Sequence, residues 1–444
     1  EADGYVPKDE YVGVITLGVP DSDKLPGGDC NDLNEAIHPD ALEVCDSIDN
    51  SCSGIIDDSQ ECYPSDFYIS GSNQTQFGTS VAVAGDVNGD GDVDFIVGAP
   101  GTEDNTSSTT VYYTNSESYT EIISGKAKLT SRNTGDMAGF STAGVGDVDG
   151  DGYDDILIGA HLSDEADTEA GSAYAVHGPI SNQNLSDADT ILLGSAGDYA
   201  GYSVAGYQGM QVVGAPFVNG LASSSGAVYI MTGETLGTVS LEEAADTILW
   251  GDQDFQLAGY ATAVGRIGSD DNAAVVIGAP FDSSQELDRA GATYVFKDPE
   301  NGELALADAD AIFYGESDLD YSGVSVATGM DINDDGSPDL AIGAYGAQSS
   351  DGRIYIQTSV RDGISESLAE SPIIITGLND SGFGSSLSSA GDFDGDGFDD
   401  ILIGAEGSDT SHIIKGPLSP GNYSATHDLE FENGRSVAGG HGFD

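Results

Sequence analysis

Basic residues are scarce in this sequence. Lysine and arginine together number 12 in 444 residues, against 77 aspartates and glutamates, for a formal charge of −65. Nucleic acids and anionic membranes are bound through basic patches, so the balance argues against both as partners. Long apolar runs are also missing, and no stretch is long enough to span a bilayer as a helix. Histidine is sparse and scattered, at positions 38, 161, 177, 412, 427 and 441. No GxSxG, HExxH or phosphate-loop pattern accompanies it, so no catalytic constellation is expected. Cysteine does not occur after Cys62. The chain begins with Glu1 rather than methionine, so any signal peptide is expected to lie outside it.

Apolar residues make up 39% of the chain, too many for a solvated acidic tail. A core is available, and the acids must lie on its surface or around cations. The length suits two or three average domains, or one large repeat domain plus a small one. The 62 glycines, with many Val, Ile, Thr and Tyr, favour tight turns and strands over helices. The four cysteines, Cys30, Cys45, Cys52 and Cys62, cluster near the N-terminus. An even cluster suggests two disulfides in a small module and an oxidising, extracytoplasmic setting. Three connectivities remain open. Zinc is the competing reading, disfavoured because no CxxC pair occurs.

A repeat of about sixty residues runs through the rest. Its marker reads GTSVAVAGD (78–86), GFSTAGVGD (139–147), GYSVAGYQG (201–209), GYATAVGRI (259–267), GVSVATGMD (323–331), GSSLSSAGD (384–392) and GRSVAGGHG (434–442). Each full unit carries four short, β-branched, Gly-bounded segments that read as strands, as in STAGV, ILIGAH, GSAYAVHG and TILLGS of the second unit. Four-strand units repeated in this way predict a β-propeller, one unit per blade.

Nine-residue acidic loops follow the marker in four units: DVNGDGDVD (86–94), DVDGDGYDD (147–155), DINDDGSPD (331–339) and DFDGDGFDD (392–400). Oxygen donors fall at positions 1, 3, 5 and 9. They are Asp86, Asn88, Asp90 and Asp94; Asp147, Asp149, Asp151 and Asp155; Asp331, Asn333, Asp335 and Asp339; and Asp392, Asp394, Asp396 and Asp400. Alternate residues of a tight loop converge, and glycine at position 6 allows the turn. The backbone carbonyl at position 7 (Asp92, Tyr153, Ser337, Phe398) can complete the shell. An oxygen-rich, flexible cage suits Ca²⁺, whereas Mg²⁺ rarely takes an all-protein one. The acid at position 9 opens the next strand, so each loop is a hairpin connector rather than an EF-hand. Four propeller calcium sites are therefore expected. None is expected in the third and fourth units, where YQGMQ (207–211) has no acid and Arg266 takes position 1. Four calcium ions would offset little of the net charge, and the remainder suggests a salty or calcium-rich exterior.

Phe77-Gly78, Phe383-Gly384 and the GAP triplets at 98–100, 214–216 and 278–280, set around these loops, resemble FG-GAP repeats. Such repeats form the integrin α-subunit propeller and occur in many secreted bacterial proteins. The resemblance covers 66–444 and implies an all-β, seven-bladed β-propeller. Its seventh blade is incomplete in this chain, and YVGVITLGVP (11–20) is a candidate to supply a strand to it. Residues 1–27 read as an extended N-terminal segment. Residues 28–62, with DCND, HPDALEVCD and IDNSCSGIID, resemble the MopE-type metal-binding motif. The resemblance implies a small disulfide- and metal-stabilised module with Asp29, Asp32, Asp46, Asp49, Asn50 and Asp57 as candidate ligands. These hard donors suit one more calcium better than the copper in the family's name. His38 reads as a surface or turn residue.

These readings imply a non-catalytic, calcium-binding adhesion or structural protein, secreted or at the cell surface. Its partner would be an extracellular protein or glycan, or another copy of itself. The alternative is a carbohydrate- or peptide-binding module of a larger secreted protein or hydrolase. FG-GAP repeats also accompany a phospholipase D, whose catalytic domain has no counterpart here. In integrins the face opposite the calcium loops carries ligand contacts. Here that face would hold the second-to-third strand links, with Phe217, Phe281 and Tyr345 expected to be exposed.

Overall fold

A computed structural model of the chain describes residues 10–17, 69–72, 75–101, 107–114, 123–268, 273–378, 381–394, 396–425, 429–432 and 434–440. Six antiparallel four-strand blades follow one another. Blade 1 is Val81–Gly85, Asp94–Ala99, Ser108–Thr114 and Ile123–Thr130. Blade 2 is Ser141–Gly146, Asp155–Ala160, Ser172–Val176 and Thr190–Leu193. Blade 3 is Ser203–Tyr207, Met210–Ala215, Ala227–Thr232 and Thr247–Trp250. Blade 4 is Ala261–Arg266, Ala273–Ala279, Ala292–Lys297 and Ala311–Tyr314. Blade 5 is Ser325–Met330, Asp339–Ala344, Arg353–Gln357 and Ile373–Thr376. Blade 6 is Phe383–Gly391, Asp400–Ala405, Thr410–Ile414 and Leu429–Glu432.

The second strand of each blade is buried along all or nearly all of its length, because both faces of the blade meet a neighbour. In Asp155–Ala160 and Asp400–Ala405, both DILIGA, every residue is buried. Apolar layers form between blades, as where Leu157 of blade 2 shares one buried cluster with Val213 and Tyr229 of blade 3. The recurring G-x-S and GA elements lock the seams. Ser80, Ser141, Ser203 and Ser325 donate through Oγ to the carbonyls of Gly139, Gly201, Gly259 and Gly384 of the next blade, at 2.9, 2.9, 2.8 and 2.7 Å. Glycine is required beneath this bond: a Cβ on Gly159 would lie 2.1 Å from the Gly201 carbonyl oxygen.

The outer edges of blades 1 to 5 are covered. Each accepts a short parallel strand from the next blade's third-to-fourth connection: Gln183–Asn184, Gly237–Ser240, Gly302–Ala305, Ile364–Ser367 and Gly421–Ser424. A paired edge is no longer a template for other chains.

The structure corrects the expected blade count to six, not seven. The last marker forms Gly434–Gly440, which builds no blade of its own. It lies in a three-strand sheet with Glu10–Leu17 in the middle and Ile69–Ser72 outside. Blades here are made by hairpins, so their neighbouring strands are antiparallel. Glu10–Leu17 comes from the far end of the chain and runs parallel to Gly434–Gly440. Seven copies of the marker therefore give six blades and a closing sheet. The N-terminal module, including Asp29, Asp32, Asp46, Asp49, Asn50, Asp57, His38 and the four cysteines, lies outside the described residues, and no disulfide is among those described.

Candidate metal centre

Each acidic loop is the hairpin turn between a blade's first and second strands. In blades 1, 2, 5 and 6 the strand register slips just before the loop, between Val83 and Gly85, Gly144 and Gly146, Thr328 and Met330, and Ser389 and Gly391. Blades 3 and 4 pair without a slip. A bulge re-aims the strand end, and at this place in the blade it occurs only where an acidic loop follows.

Backbone donors shape the four loops in one way. The position-1 carboxylate accepts the N–H of position 5: Asp90, Asp151, Asp335 and Asp396 reach Asp86, Asp147, Asp331 and Asp392 at 3.1, 3.1, 3.1 and 2.9 Å. Its second oxygen accepts from Gly91, Gly152, Gly336 and Gly397 at 2.9, 3.0, 2.7 and 2.8 Å. These glycines have φ of 92, 92, 83 and 91°, the left-handed region that the turn demands. The position-5 carboxylate accepts from the N–H of Asp92, Tyr153, Ser337 and Phe398.

The ninth residue differs from the rest in being fully buried. Asp94, Asp155, Asp339 and Asp400 are each 0% exposed. They still accept backbone donors, such as Val148 and Gly178 on Asp155 and Phe393 and Gly416 on Asp400, at 2.8 to 2.9 Å. Burial raises their pKa from 3.8 to about 7, 6, 8 and 7, and the neighbouring loop carboxylates add to the rise. A charge forced out of water in this way is one a cation would relieve.

In blades 2 and 6 the loops bring their carboxylates together. Oxygens of Asp147, Asp149 and Asp155 lie within 4.8 Å of one another, as do those of Asp392, Asp394 and Asp400. Calcium–oxygen bonds place ligands on opposite sides of the ion roughly 5 Å apart, so these sets fit that ion. In blades 1 and 5 position 3 is asparagine, and its amide nitrogen faces the ninth residue: Asn88 reaches Asp94 at 3.1 Å and Asn333 reaches Asp339 at 3.5 Å. A cation there would need the amide turned to present oxygen.

Two residues near these loops were missed from sequence. His177 Nδ1 is 3.4 Å from Asp149, and Lys415 Nζ is 3.0 Å from Asp394. They hold equivalent places in blades 2 and 6, each just before a Gly-Pro pair, and HGP and KGP were the signals in the sequence. In blade 3 the loop is a tight turn with Tyr207 paired to Met210. In blade 4, residues 269–272 of the loop lie outside the described residues.

The opposite face carries aromatic rings rather than acids. A chain of contacts runs Phe140–His161–Tyr202–Tyr260–Phe281–Tyr321–Tyr345, with centroid separations of 4.1 to 6.4 Å. Phe281 within it and Phe217, which packs beside it on Tyr199 at 4.8 Å, are half-buried, contrary to the exposure expected, and Tyr345 is 36% exposed. His161, in the turn after Asp155–Ala160, is buried among these rings, and burial lowers its pKa to about 4. Leu221, Phe255 and Leu319 on the same face are exposed.

Comparison with known proteins gives these loops a context. The FG-GAP repeat family matches residues 77–113, 138–176, 322–356 and 383–424, so the chain carries FG-GAP repeats. The Cu-binding MopE metal-binding motif matches residues 29–58. Integrin alpha-7 of Rattus norvegicus is 30% identical over 250 residues, 51% of this chain and 21% of that protein. Integrin alpha-IIb of Mus musculus is 32% identical over 167 residues, 36% of this chain and 16% of that protein. Integrin alpha-5 of Xenopus laevis is 36% identical over 154 residues, 33% of this chain and 13% of that protein. The chain thus spans about a fifth or less of the length of these relatives. The solved Dos1 propeller aligns at a TM-score of 0.37 and 11% identity, over 81% of this chain and 69% of its own. Among the described residues no helix is long and apolar enough to cross a membrane.

Proposed function

We propose that this chain, with its FG-GAP repeats and its likeness to integrin alpha chains, is a non-catalytic calcium-binding adhesion or structural module of the cell exterior. The observation that carries the proposal is the fourfold recurrence of one loop geometry on one face. Each loop ends on a fully buried aspartate whose charge a cation would neutralise. Asp147, Asp149 and Asp155 would hold one ion and Asp392, Asp394 and Asp400 another. Asp86, Asn88 and Asp94, and Asp331, Asn333 and Asp339, would hold two more. The side chains of Asp90, Asp151, Asp335 and Asp396, and the carbonyls of Asp92, Tyr153, Ser337 and Phe398, complete these sets. Bound calcium would neutralise repelling carboxylates and stiffen the hairpins, leaving the opposite face to a ligand or a second copy. The N-terminal acids Asp29, Asp32, Asp46, Asp49, Asn50 and Asp57 would hold a further ion, with Cys30, Cys45, Cys52 and Cys62 cross-linking that module.

A second reading, a carbohydrate- or peptide-binding module, is favoured by a depression of about 540 Å³ on the aromatic face. Tyr321 and Tyr345 stack there at 5.3 Å and 10°, and Arg289 lies over Tyr321. Flat stacked rings suit a sugar face as well as an aromatic or cationic side chain. Glycan and protein arrays probed with the full chain, with calcium and with chelator, separate the readings. Binding or self-association that needs calcium supports the adhesion reading. Binding of one glycan class, lost in Tyr345→Ala and unaffected by chelator, would replace it.

A further inference from the structure

Blades 2 and 6 share a pair of features that the other blades lack. Their acidic loops end in two aspartates, Asp154-Asp155 and Asp399-Asp400, where blades 1 and 5 have Val93-Asp94 and Pro338-Asp339. Their third strands are followed by Gly-Pro and an apolar residue, Gly178-Pro179-Ile180 and Gly416-Pro417-Leu418. Each also follows a blade with an acidic loop of its own.

Both features reach across the seam. The Asp86 N–H donates to Asp154 Oδ2 at 2.7 Å, and the Asp154 N–H donates back to the Asp86 carbonyl at 3.1 Å. The Asp331 N–H donates to Asp399 Oδ2, also at 2.7 Å. One residue further on, the Ile180 N–H donates to the Val87 carbonyl at 3.0 Å, and the Leu418 N–H to the Ile332 carbonyl at 2.7 Å. Positions 1 and 2 of the earlier loop are therefore held by the later blade. The fit is close in the first pair: a Cβ on Gly85 would lie 2.2 Å from Asp154 Oδ2, and one on Gly89 would lie 2.4 Å from the Tyr153 ring. Where blade 3 follows blade 2, the seam bond is backbone to backbone, from Gly209 N–H to the Val145 carbonyl at 2.7 Å.

We infer that the four loops work as two coupled pairs, 86–94 with 147–155 and 331–339 with 392–400, and that Asp154 and Asp399 are the positioning residues that couple them. The inference rests on the reading of these loops as cation sites. Asp154 stands between the position-7 and position-9 residues of its own loop, both assigned to the ion. A cation bound there fixes the whole segment from Tyr153 to Asp155, and with it the acceptor for the Asp86 N–H. Asp86 is the first ligand of the other loop, so filling one site prepares the next. Asp399, between Phe398 and Asp400, does the same for Asp331.

Hydrogen exchange of the full chain, followed by mass spectrometry across a calcium titration, reads each loop separately. In Asp149→Ala/Asp151→Ala, which disables the 147–155 site, the calcium midpoint for protecting 86–94 should rise roughly five- to tenfold, an ordinary coupling between sites. The midpoints of 331–339 and 392–400 should stay where they are, which also verifies the fold. Asp154→Ala should shift 86–94 alike while 147–155 remains protected by calcium, and Asp154→Asn, which keeps an acceptor oxygen, should shift it less. Asp399→Ala should act on 331–339 alone. An unmoved 86–94 midpoint in both the double variant and Asp154→Ala overturns the pairing while leaving the cation reading intact. An equal shift in both pairs from Asp154→Ala also overturns it, since that marks a general loss of stability. Calcium that protects no loop of the unaltered chain removes the cation reading and the pairing together.

Discussion

Calcium binding should expel protons from this protein, and the buried ninth-position aspartates set the number. Without a cation, Asp94, Asp155, Asp339 and Asp400 have pKa values of about 7, 6, 8 and 7, all raised by burial from 3.8. The cation-free folded state therefore holds protons that the unfolded chain releases. Their effect on stability is favourable below about pH 4 and is lost as pH rises through about 6 to 8. A cation reverses the preference by favouring the ionised form. Filling all four loops at pH 7 should then release about two protons per chain, about three at pH 6 and fewer than one at pH 8, and calcium affinity should climb with pH over that window. Calorimetric titration in two buffers of different ionisation enthalpy gives the proton count directly. Asp339→Asn, removing the aspartate with the highest of these values, should lower the count at pH 7 by about one. A count near zero at pH 7, or one that grows from pH 6 to pH 8, would refute the assignment of these aspartates to the ion.

Two further outcomes concern the scaffold. Gly159→Ala forces a Cβ to 2.1 Å from the Gly201 carbonyl and 2.2 Å from Ser141 Oγ, so it should cost about 3 kcal/mol in denaturant unfolding. Gly197→Ala, at φ 77° with open space around it, should cost only about 1 kcal/mol, and equal losses would show that the seam contact is not what requires glycine. His161 is buried with an unpaired Nδ1 and a pKa lowered to about 4, so it should withdraw stability as pH falls from about 6.5 towards 4. His161→Phe should flatten that part of the pH–stability curve measured by thermal unfolding; an unchanged slope would mean that the imidazole is hydrated.

The acidic loops were legible because their chemistry is local. Nine residues contain every proposed ligand of a site, and Asx-type bonds such as Gly152 N–H to Asp147 shape the turn from within it. The strands were legible for a similar reason, since a segment such as DILIGA carries its burial in its composition. The aromatic chain was not. Tyr202 of blade 3 meets Tyr260 of blade 4, and Phe281 of blade 4 meets Tyr321 of blade 5, and nothing in the spacing of one repeat says that its ring meets the ring of the next. The burial of His161 was hidden on the same account, because the rings that bury it include Tyr202 of the following blade.

The blade count marks the boundary most sharply. Repetition along the chain dictates the unit: four strands, a glycine–serine seam and an acidic hairpin in four of six cases. These follow from hydrogen bonds and side-chain volumes within a unit or between consecutive ones. How the ring closes is a different matter, because it depends on which distant strands meet once the blades have curved round. The seventh marker was read as opening a blade to which residues 11–20 would add a strand. Glu10–Leu17 does pair with Gly434–Gly440, more than four hundred residues away in the chain, but in parallel and in a closing sheet rather than a blade. The pairing of acidic loops across seams belongs with it. Asp154 looked like one more acid in its own loop, and only the packing of blade on blade set its carboxylate against the backbone of Asp86.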